Sequence, residues 1–172
     1  MDLLVPPLLA IIQNADIPTV LRTSSISLLA DCVDTWPIAL LPYIQDLCFG
    51  FIDLLQVEAL AAKNIPKAAE SGGSVLPTAT MDSNPTLKNP KLPALRRSAI
   101  HFLGSYFRAA TKLIYDEGNL DATTMLPKLL VQKATVTLDY ISSTDDDSRV
   151  RFMAKEAREG LKDFQRAALG LP

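Results

Sequence analysis

The stretch Asp16-Ile17-Pro18-Thr19-Val20-Leu21-Arg22-Thr23-Ser24-Ser25 has two counterparts further along this chain, Pro93-Ala94-Leu95-Arg96-Arg97-Ser98-Ala99 and Asp145-Asp146-Asp147-Ser148-Arg149-Val150-Arg151-Phe152-Met153-Ala154. In each stretch an aliphatic residue precedes an arginine, and a small residue follows that arginine three positions later. In the first and third stretches an aspartate lies six positions before the arginine. A turn and helix start that recur three times predict stacked helix pairs, an architecture that commonly binds other proteins.

Apolar residues recur at intervals of three, four and seven along most of the chain, which is the periodicity of helices with one buried face. The runs are longer than ordinary strands and do not alternate, so we expect an all-α fold. The intervals predict three antiparallel pairs, which would form a solenoid: residues 3–14 with 18–34, residues 35 to about 63 with 93–115, and 122–142 with 147–167.

Capping residues precede several of these predicted helices. Asp16 is placed to cap the second helix, with Pro18 in the first turn, where a missing N–H costs no hydrogen bond. Thr35 and Pro37 repeat this arrangement for the third helix. The acids at 145–147 precede the last helix, where the helix dipole favours negative charge. We interpret these three acids as a solvated capping turn.

Residues 64–92 interrupt the middle pair with a segment of low apolar content. It contains Ser71-Gly72-Gly73-Ser74 and four prolines, with a fifth at its far edge. A structureless stretch of this length is uncommon inside a compact domain, so it is either disordered or functional. We interpret it as a flexible insertion that lengthens the turn of the middle pair.

Composition places the chain in the class of ordinary globular domains. With 172 residues, of which 48% are hydrophobic and 21% charged, it is long enough to bury one core, so we expect residues 1–172 to form a single domain. The net charge of −2 and the sequence pI near 5.4 provide no general attraction for nucleic acid. Aromatic residues are sparse and not interleaved with basic ones, which disfavours a platform for stacking bases.

We expect a soluble, cytoplasmic protein that does not insert into membranes. The start of the chain, residues 1–7, lacks a basic leader and contains two prolines. The longest apolar candidate, Trp36 to Leu55, is interrupted by prolines, acids and a glycine before it reaches the roughly 18 residues of a membrane span. Cys32 and Cys48 are too few for a disulfide framework and are typical of small buried side chains in a reducing compartment.

Catalytic, metal and cofactor signals are weak, so we expect a protein that is not an enzyme and binds no metal or cofactor. His101 is the only histidine and is more typical of a helix surface or core edge than of a metal site. The acids at 145–147 lack the ligand spacing and glycine of a calcium loop. The glycines at 72–73 are not followed by a lysine at P-loop spacing and follow no predicted strand.

Two further features leave alternatives open. Arg96 and Arg97 could contact a phosphate or an acidic partner, but we favour a structural role for one and solvent exposure for the other. Trp36 could be a binding hot spot, but packing at a seam between helix pairs is the favoured interpretation. An exposed Trp36 would reverse that preference.

The repeated pattern resembles HEAT repeats, in which a helix containing Pro-x-Leu-Leu is followed by a turn with Asp and then by x-Val-Arg-x-x-Ala-x-x-x-Leu. The segment Pro7 to Leu29 is the clearest copy. The second copy, at 95–103, lacks the turn aspartate, which the insertion replaces. In the third copy Arg158 stands where leucine is expected, a departure that suits a terminal repeat with an exposed face.

The resemblance gives the aspartates and arginines a structural meaning. Their spacing would let the arginine of one repeat reach the turn acid of the next, forming a ladder that sets the register. Each such exposed pair would contribute about 0.2–1 kcal/mol, with the apolar stripes supplying most of the stability. We expect the ladder residues to be Asp16, Arg22, Arg96, Asp145 and Arg151.

A narrower resemblance is to the C-terminal region of Rtp-type HEAT proteins, whose animal relatives are called transport and Golgi organisation proteins. It is carried by residues 21–32, by 96–103 and by Gly160 to Phe164 before the final Leu171-Pro172. That family acts in cytoplasmic assembly and nuclear import of RNA polymerase II. The resemblance implies a protein-binding module in the cytoplasm that shuttles to the nucleus, with polymerase subunits and transport or chaperone factors as partners.

Two alternatives to this function remain at the level of sequence. The chain could be a generic HEAT-repeat scaffold or part of a transport receptor with another protein cargo. A small helical enzyme or ligand carrier is the alternative from a different class. A deep cavity with convergent polar groups would favour the enzyme or carrier, whereas a continuous helical surface would favour the binding module.

Overall fold

The computed structural model describes residues 1, 3–61, 93–117 and 121–170, with the side chains of residues 59–61 and 117 left out. The predicted flexible insertion at 64–92 lies outside these residues. The described part of the chain is all-helical, with no strand. Its helices are α1 (Val5–Gln13), α2 (Thr19–Thr35), α3 (Pro37–Ala61), α4 (Pro93–Glu117), α5 (Ala122–Met125), α6 (Lys128–Thr144) and α7 (Ser148–Ala168).

The starts of α2 and α3 correct two predicted caps. Pro18 occupies the N-cap position of α2, and no side chain caps that helix, so Asp16 is not its cap. Thr35 is the last residue of α2, and its hydroxyl donates to the Asp31 carbonyl at 2.7 Å rather than capping α3. Pro37 is the first residue of α3, where its fixed φ angle suits the helix, whereas Pro18 precedes the first turn of α2.

The first helix of the third pair is divided, although the periodicity predicts one helix over 122–142. The short helix α5 ends before Leu126 and Pro127, and α6 begins at Lys128. Proline favours an extended conformation in the residue before it, which ends α5 at this point. Asp121 caps α5 by accepting hydrogen bonds from Thr123, and these bonds lower the pKa of the Asp121 carboxyl.

The helices pack in two rows. One row runs from α2 through α4 to α7, and these helices share the most extensive contacts in the described chain together with the α6–α7 pair. The other row runs from α1 through α3 to α6. Each helix of one row packs against its sequence partner in the other, α1 on α2, α3 on α4 and α6 on α7. The core therefore lies between two layers of helices.

Aromatic side chains fill the centre of this core. The rings of Phe51 in α3 and Phe102 in α4 lie 4.5 Å apart between centroids, and both are fully buried. Polar contacts fix α3 against the third pair: the Gln56 amide donates to the Thr137 hydroxyl at 2.9 Å. The Tyr106 hydroxyl donates to the Met125 carbonyl at 3.2 Å, joining α4 to α5.

Helix α3 is unusually apolar. Over Pro37–Glu58 it is long and apolar enough to cross a membrane by length and composition, with a mean hydropathy of 1.6. The prolines and acids of this region therefore interrupt the apolar pattern less than the sequence indicates. A core helix passes the same test, and 39% of this stretch is buried. Its buried apolar residues include Leu40, Ile44, Leu47, Cys48, Phe51, Ile52 and Leu55.

Candidate functional site

Arg22 is buried between the two helices of the first pair. Its Nε donates to the Ile12 carbonyl at 2.8 Å, in the last turn of α1. Carbonyls in the last turn of a helix lack partners within the helix, so the guanidinium satisfies one of them and also meets the negative end of the helix dipole. Burial lowers the pKa of Arg22, and the nearby Glu58 of α3 opposes that shift.

Arg96 forms a buried ion pair with the third helix pair. Its Nε lies 2.8 Å from Oδ2 of Asp145, and its Nη2 donates to Oδ1 at 3.1 Å. The side chains are only 2% and 7% exposed, so the predicted solvated turn is wrong for Asp145. The same carboxylate accepts the backbone N–H of Asp147 at 2.9 Å. The contact therefore joins α4 to the turn between α6 and α7.

Arg97 also reaches this turn, although the sequence favoured solvent exposure for one arginine of the pair. Its Nη1 lies 2.8 Å from Oδ2 of Asp147, and its side chain is partly exposed. Asp147 caps α7 by accepting the backbone N–H groups of Arg149 and Val150. Burial raises the pKa of Asp147, but these two bonds and the arginine charges outweigh it and lower the pKa overall.

Arg151 binds within its own helix pair. Its Nη1 donates to the Asp145 carbonyl at 2.6 Å and to the Asp146 carbonyl at 3.2 Å. Arg158 stands where the repeat pattern has leucine, and the sequence therefore predicted an exposed face there. In the structure its side chain lies over α6, and its Nε is 2.9 Å from Oδ1 of Asp139. A long side chain with a charged tip can thus cover the core where the repeat pattern expects leucine.

Asp16 is exposed in the turn between α1 and α2. Its backbone N–H binds the Asn14 side chain at 2.9 Å. Within the described residues its carboxylate takes part in no hydrogen bond or ion pair, and it does not contact Arg22. The structure therefore brings Arg96, Asp145 and Arg151 together at one turn. It places Arg22 and Asp16 at the α1–α2 connection, without an ion pair between them.

Replacing Arg22 is expected to weaken the packing of α1 against α2 within the first pair. We expect Arg22→Ala to lower the free energy of unfolding by about 1–3 kcal/mol, because it leaves the Ile12 carbonyl buried without its donor. Urea denaturation followed by circular dichroism measures this loss. The exposed Arg149 supplies a matched control, and Arg149→Ala should change stability by less than about 0.5 kcal/mol. Equal effects of the two variants would contradict the assigned contact.

Cys48, Cys32 and His101 lie in different surroundings. Burial raises the pKa of the Cys48 thiol, so the thiolate needed for nucleophilic attack is disfavoured. Burial, followed by the nearby Asp31, also raises the pKa of Cys32. His101 is exposed on α4 beside a cavity of only about 30 Å³. Among the described residues no group of His, Cys, Asp and Glu side chains is placed to hold a metal ion.

Large apolar side chains are exposed at the turn between α2 and α3. Trp36, at the turn between α2 and α3, is 60% exposed, so the prediction that it is packed at a seam is wrong. The neighbouring Ile38 is also largely exposed. An open groove of about 490 Å³ runs between α2 and α4 and is lined mainly by small and polar side chains. Exposed tryptophan is enriched in the energetic centres of protein interfaces.

Sequence reasoning missed the pair of Arg97 with Asp147 and that of Arg158 with Asp139. Their partners are distant in the sequence or follow no repeated spacing, so no local pattern marks them. Exposure of Trp36 was likewise undetectable, because a tryptophan before a proline fits both a packed seam and a surface turn. No family model, curated protein or solved structure matches the chain.

Proposed function

We propose that the chain is a HEAT-type α-solenoid that acts as a non-catalytic protein-binding module. The observation that carries the proposal is the contact between successive helix pairs at Arg96 and Asp145 within the row formed by α2, α4 and α7. In a solenoid each pair contacts only its neighbours, so stacking leaves long surfaces free for partners. The two rows of helices and the short turns that join α1 to α2 and α6 to α7 support this arrangement.

The burial pattern of the three second helices supports the repeat assignment. When the helices are aligned on Arg22, Arg96 and Arg151, the residues three positions after each arginine are all buried. These residues are Ser25, Ala99 and Ala154. Small side chains at one buried position in three helices allow close approach between helices, which is what a repeated unit requires.

By resemblance, the partners of this module are RNA polymerase II subunits and transport or chaperone factors, met in the cytoplasm during assembly and nuclear import. The partner surface is the exposed edge at Trp36 and Ile38. Trp36 supplies a large, rigid contact area, and its exposure in the unbound protein is consistent with such a role.

Affinity purification of the protein, tagged and expressed from its own gene, tests the proposal. We expect polymerase II subunits to be recovered, and a purified subunit found in this way to bind the purified chain directly. Trp36→Ala should reduce recovery at least about tenfold, a loss that a hot-spot residue can cause. Phe152→Ala is the matched control, because Phe152 is an exposed aromatic residue on α7.

The outcomes separate the possible functions. Recovery of other proteins in place of polymerase subunits, with the same dependence on Trp36, would favour a scaffold or transport receptor with another cargo. Equal recovery by Trp36→Ala and Phe152→Ala would contradict the assigned surface. Absence of polymerase subunits from every preparation would contradict the proposed role in polymerase assembly.

A further inference from the structure

Charge is distributed unevenly along the chain. Residues 3–58 contain six acidic residues and a single basic residue, Arg22. Arg22 is only 6% exposed, and its guanidinium already donates to the Ile12 carbonyl. Within residues 3–58, therefore, no exposed basic side chain accompanies the acids. Such an excess of one charge over part of a surface favours partners of the opposite charge.

Two of these acids, Asp31 and Asp34, lie near the end of α2, whose last residue is Thr35. Both are exposed, and among the described residues neither carboxylate accepts a hydrogen bond or forms an ion pair. The carboxyl end of a helix is the negative end of its dipole, where acidic side chains are unfavourable. The last turn of α2 contains no basic residue that would offset them. The stability of the helix therefore does not account for the two acids.

The two acids adjoin the exposed Trp36. They are three residues apart, so they lie on one side of α2. Asp31 lines the groove between α2 and α4, together with Ser27 and Leu28 of the preceding turn. Trp36 is the C-cap residue of α2 and is 60% exposed. An exposed indole ring and two carboxylates without a cation therefore share one end of α2.

The chemistry of this end of α2 favours a cationic partner with apolar side chains. An arginine or lysine side chain is attracted to the face of an indole ring. A carboxylate beside the ring adds a charge-assisted hydrogen bond to the same cation. Arg97, on the other wall of the groove, does not supply this cation, because its Nη1 lies 2.8 Å from Oδ2 of Asp147. Ile38, which is 52% exposed, offers apolar contact beside the ring.

We propose that Trp36, Asp31 and Asp34 form a recognition site for a basic segment of a partner protein, in which an arginine or lysine adjoins an apolar side chain. The cation lies over the Trp36 ring and pairs with the two carboxylates, and the apolar side chain contacts Ile38. The inference rests on the proposed role of Trp36 as a partner surface, but not on polymerase subunits being the partner.

Intrinsic fluorescence of the full chain tests this site directly, because Trp36 is its only tryptophan. The probe is a synthetic peptide of three Leu-Arg-Gly repeats, and the comparison peptide has glutamate in place of each arginine. We expect the arginine peptide to change the Trp36 emission saturably and to bind at least about tenfold more tightly than the glutamate peptide. Salt at about 1 M shortens the Debye length to about 3 Å and should weaken this binding.

Substitution of the two acids tests their part in recognition. The double variant Asp31→Asn with Asp34→Asn should bind the arginine peptide at least about tenfold more weakly than the parent protein. Asp16→Asn is the matched control, because Asp16 is also exposed but precedes the opposite end of α2. The 17 residues of α2 span about 25 Å, well beyond a Debye length, so we expect this control to change binding by less than about twofold. Helical circular dichroism should be the same in all three proteins, since the acids are exposed.

The outcomes distinguish this inference from the proposed function. Equal responses to the arginine and glutamate peptides, or no response to either, would overturn the inference. Equal peptide binding by the double variant and by Asp16→Asn would overturn it as well. If Trp36→Ala reduces the recovery of partner proteins and the double variant does not, the Trp36 surface stands without the basic segment. If neither change reduces recovery, the proposed partner surface fails too.

Discussion

Asp145→Ala is expected to lower the free energy of unfolding by about 3–5 kcal/mol, because it leaves the buried guanidinium of Arg96 without its counter-charge. The carboxylate also accepts the Asp147 N–H, so the turn ahead of α7 loses an internal hydrogen bond as well. Both effects act where α4 meets the third helix pair. Urea denaturation monitored by circular dichroism would measure the change.

Asp16→Ala is the matched control for this substitution. The two aspartates share the same spacing from a following arginine, but Asp16 is exposed and has no carboxylate partner among the described residues. We expect Asp16→Ala to change stability by less than about 0.5 kcal/mol. If the two substitutions cost the same, the buried pair does not carry the stability assigned to it.

Arg96→Met distinguishes two quantities: the net stability that the ion pair contributes, and the penalty for leaving one of its charges buried without a partner. Methionine removes the charge while filling much of the same volume, but it leaves the Asp145 carboxylate without its cation. In the double variant Arg96→Met with Asp145→Ala neither charge remains, so we expect it to be more stable than Asp145→Ala alone. An additive loss from the two substitutions would show that the charges do not interact in the folded protein.

Phe51→Ala is expected to cost about 3–5 kcal/mol, since it removes a fully buried ring and leaves a cavity between α3 and α4. The ring also loses its contact with Phe102, whose centroid lies 4.5 Å away. Thermal denaturation should show the loss as a lower Tm, provided that helix content at low temperature shows the variant to be folded.

The exposed Phe152 provides the comparison for this core substitution. Phe152→Ala removes a ring of the same size from the surface of α7, so we expect a change within about 0.5 kcal/mol. Phe51→Leu keeps most of the volume and should recover a large part of the loss. A Phe51→Ala protein as stable as the Phe152→Ala protein would show that α3 is not held by this aromatic contact.

The contrast between Arg22 and Arg96 shows how far a repeated motif predicts its contacts. Both arginines follow an aliphatic residue and precede a small one, yet Arg22 binds a helix carbonyl of its own pair and Arg96 binds a carboxylate of the next. The motif fixes each arginine near the start of a helix. Which acceptor it meets depends on the neighbouring turn, and that turn is brought close only by packing.

The sequence alone also underestimates how much an arginine–aspartate pair contributes to stability. Spacing alone treats the pair as exposed and weak, whereas burial of both side chains makes its disruption costly. The same holds for Trp36, whose neighbours in sequence are compatible with a packed or an exposed ring. Solvent exposure depends on residues that are remote in the chain, so a local pattern cannot supply it.

The helical class and the approximate ends of most helices can be predicted from the amino-acid sequence. These properties follow from short-range rules: the 3.6-residue period, the position of prolines and the turn between neighbouring helices. Packing between helices, in contrast, determines that Asp145 is buried while Asp16 is exposed, and that Ala157 is buried while Leu28 is exposed. Equivalent residues of a repeat differ in solvent exposure because each packs against a different neighbouring helix. Which helix that is depends on the tertiary packing and not on the residue itself.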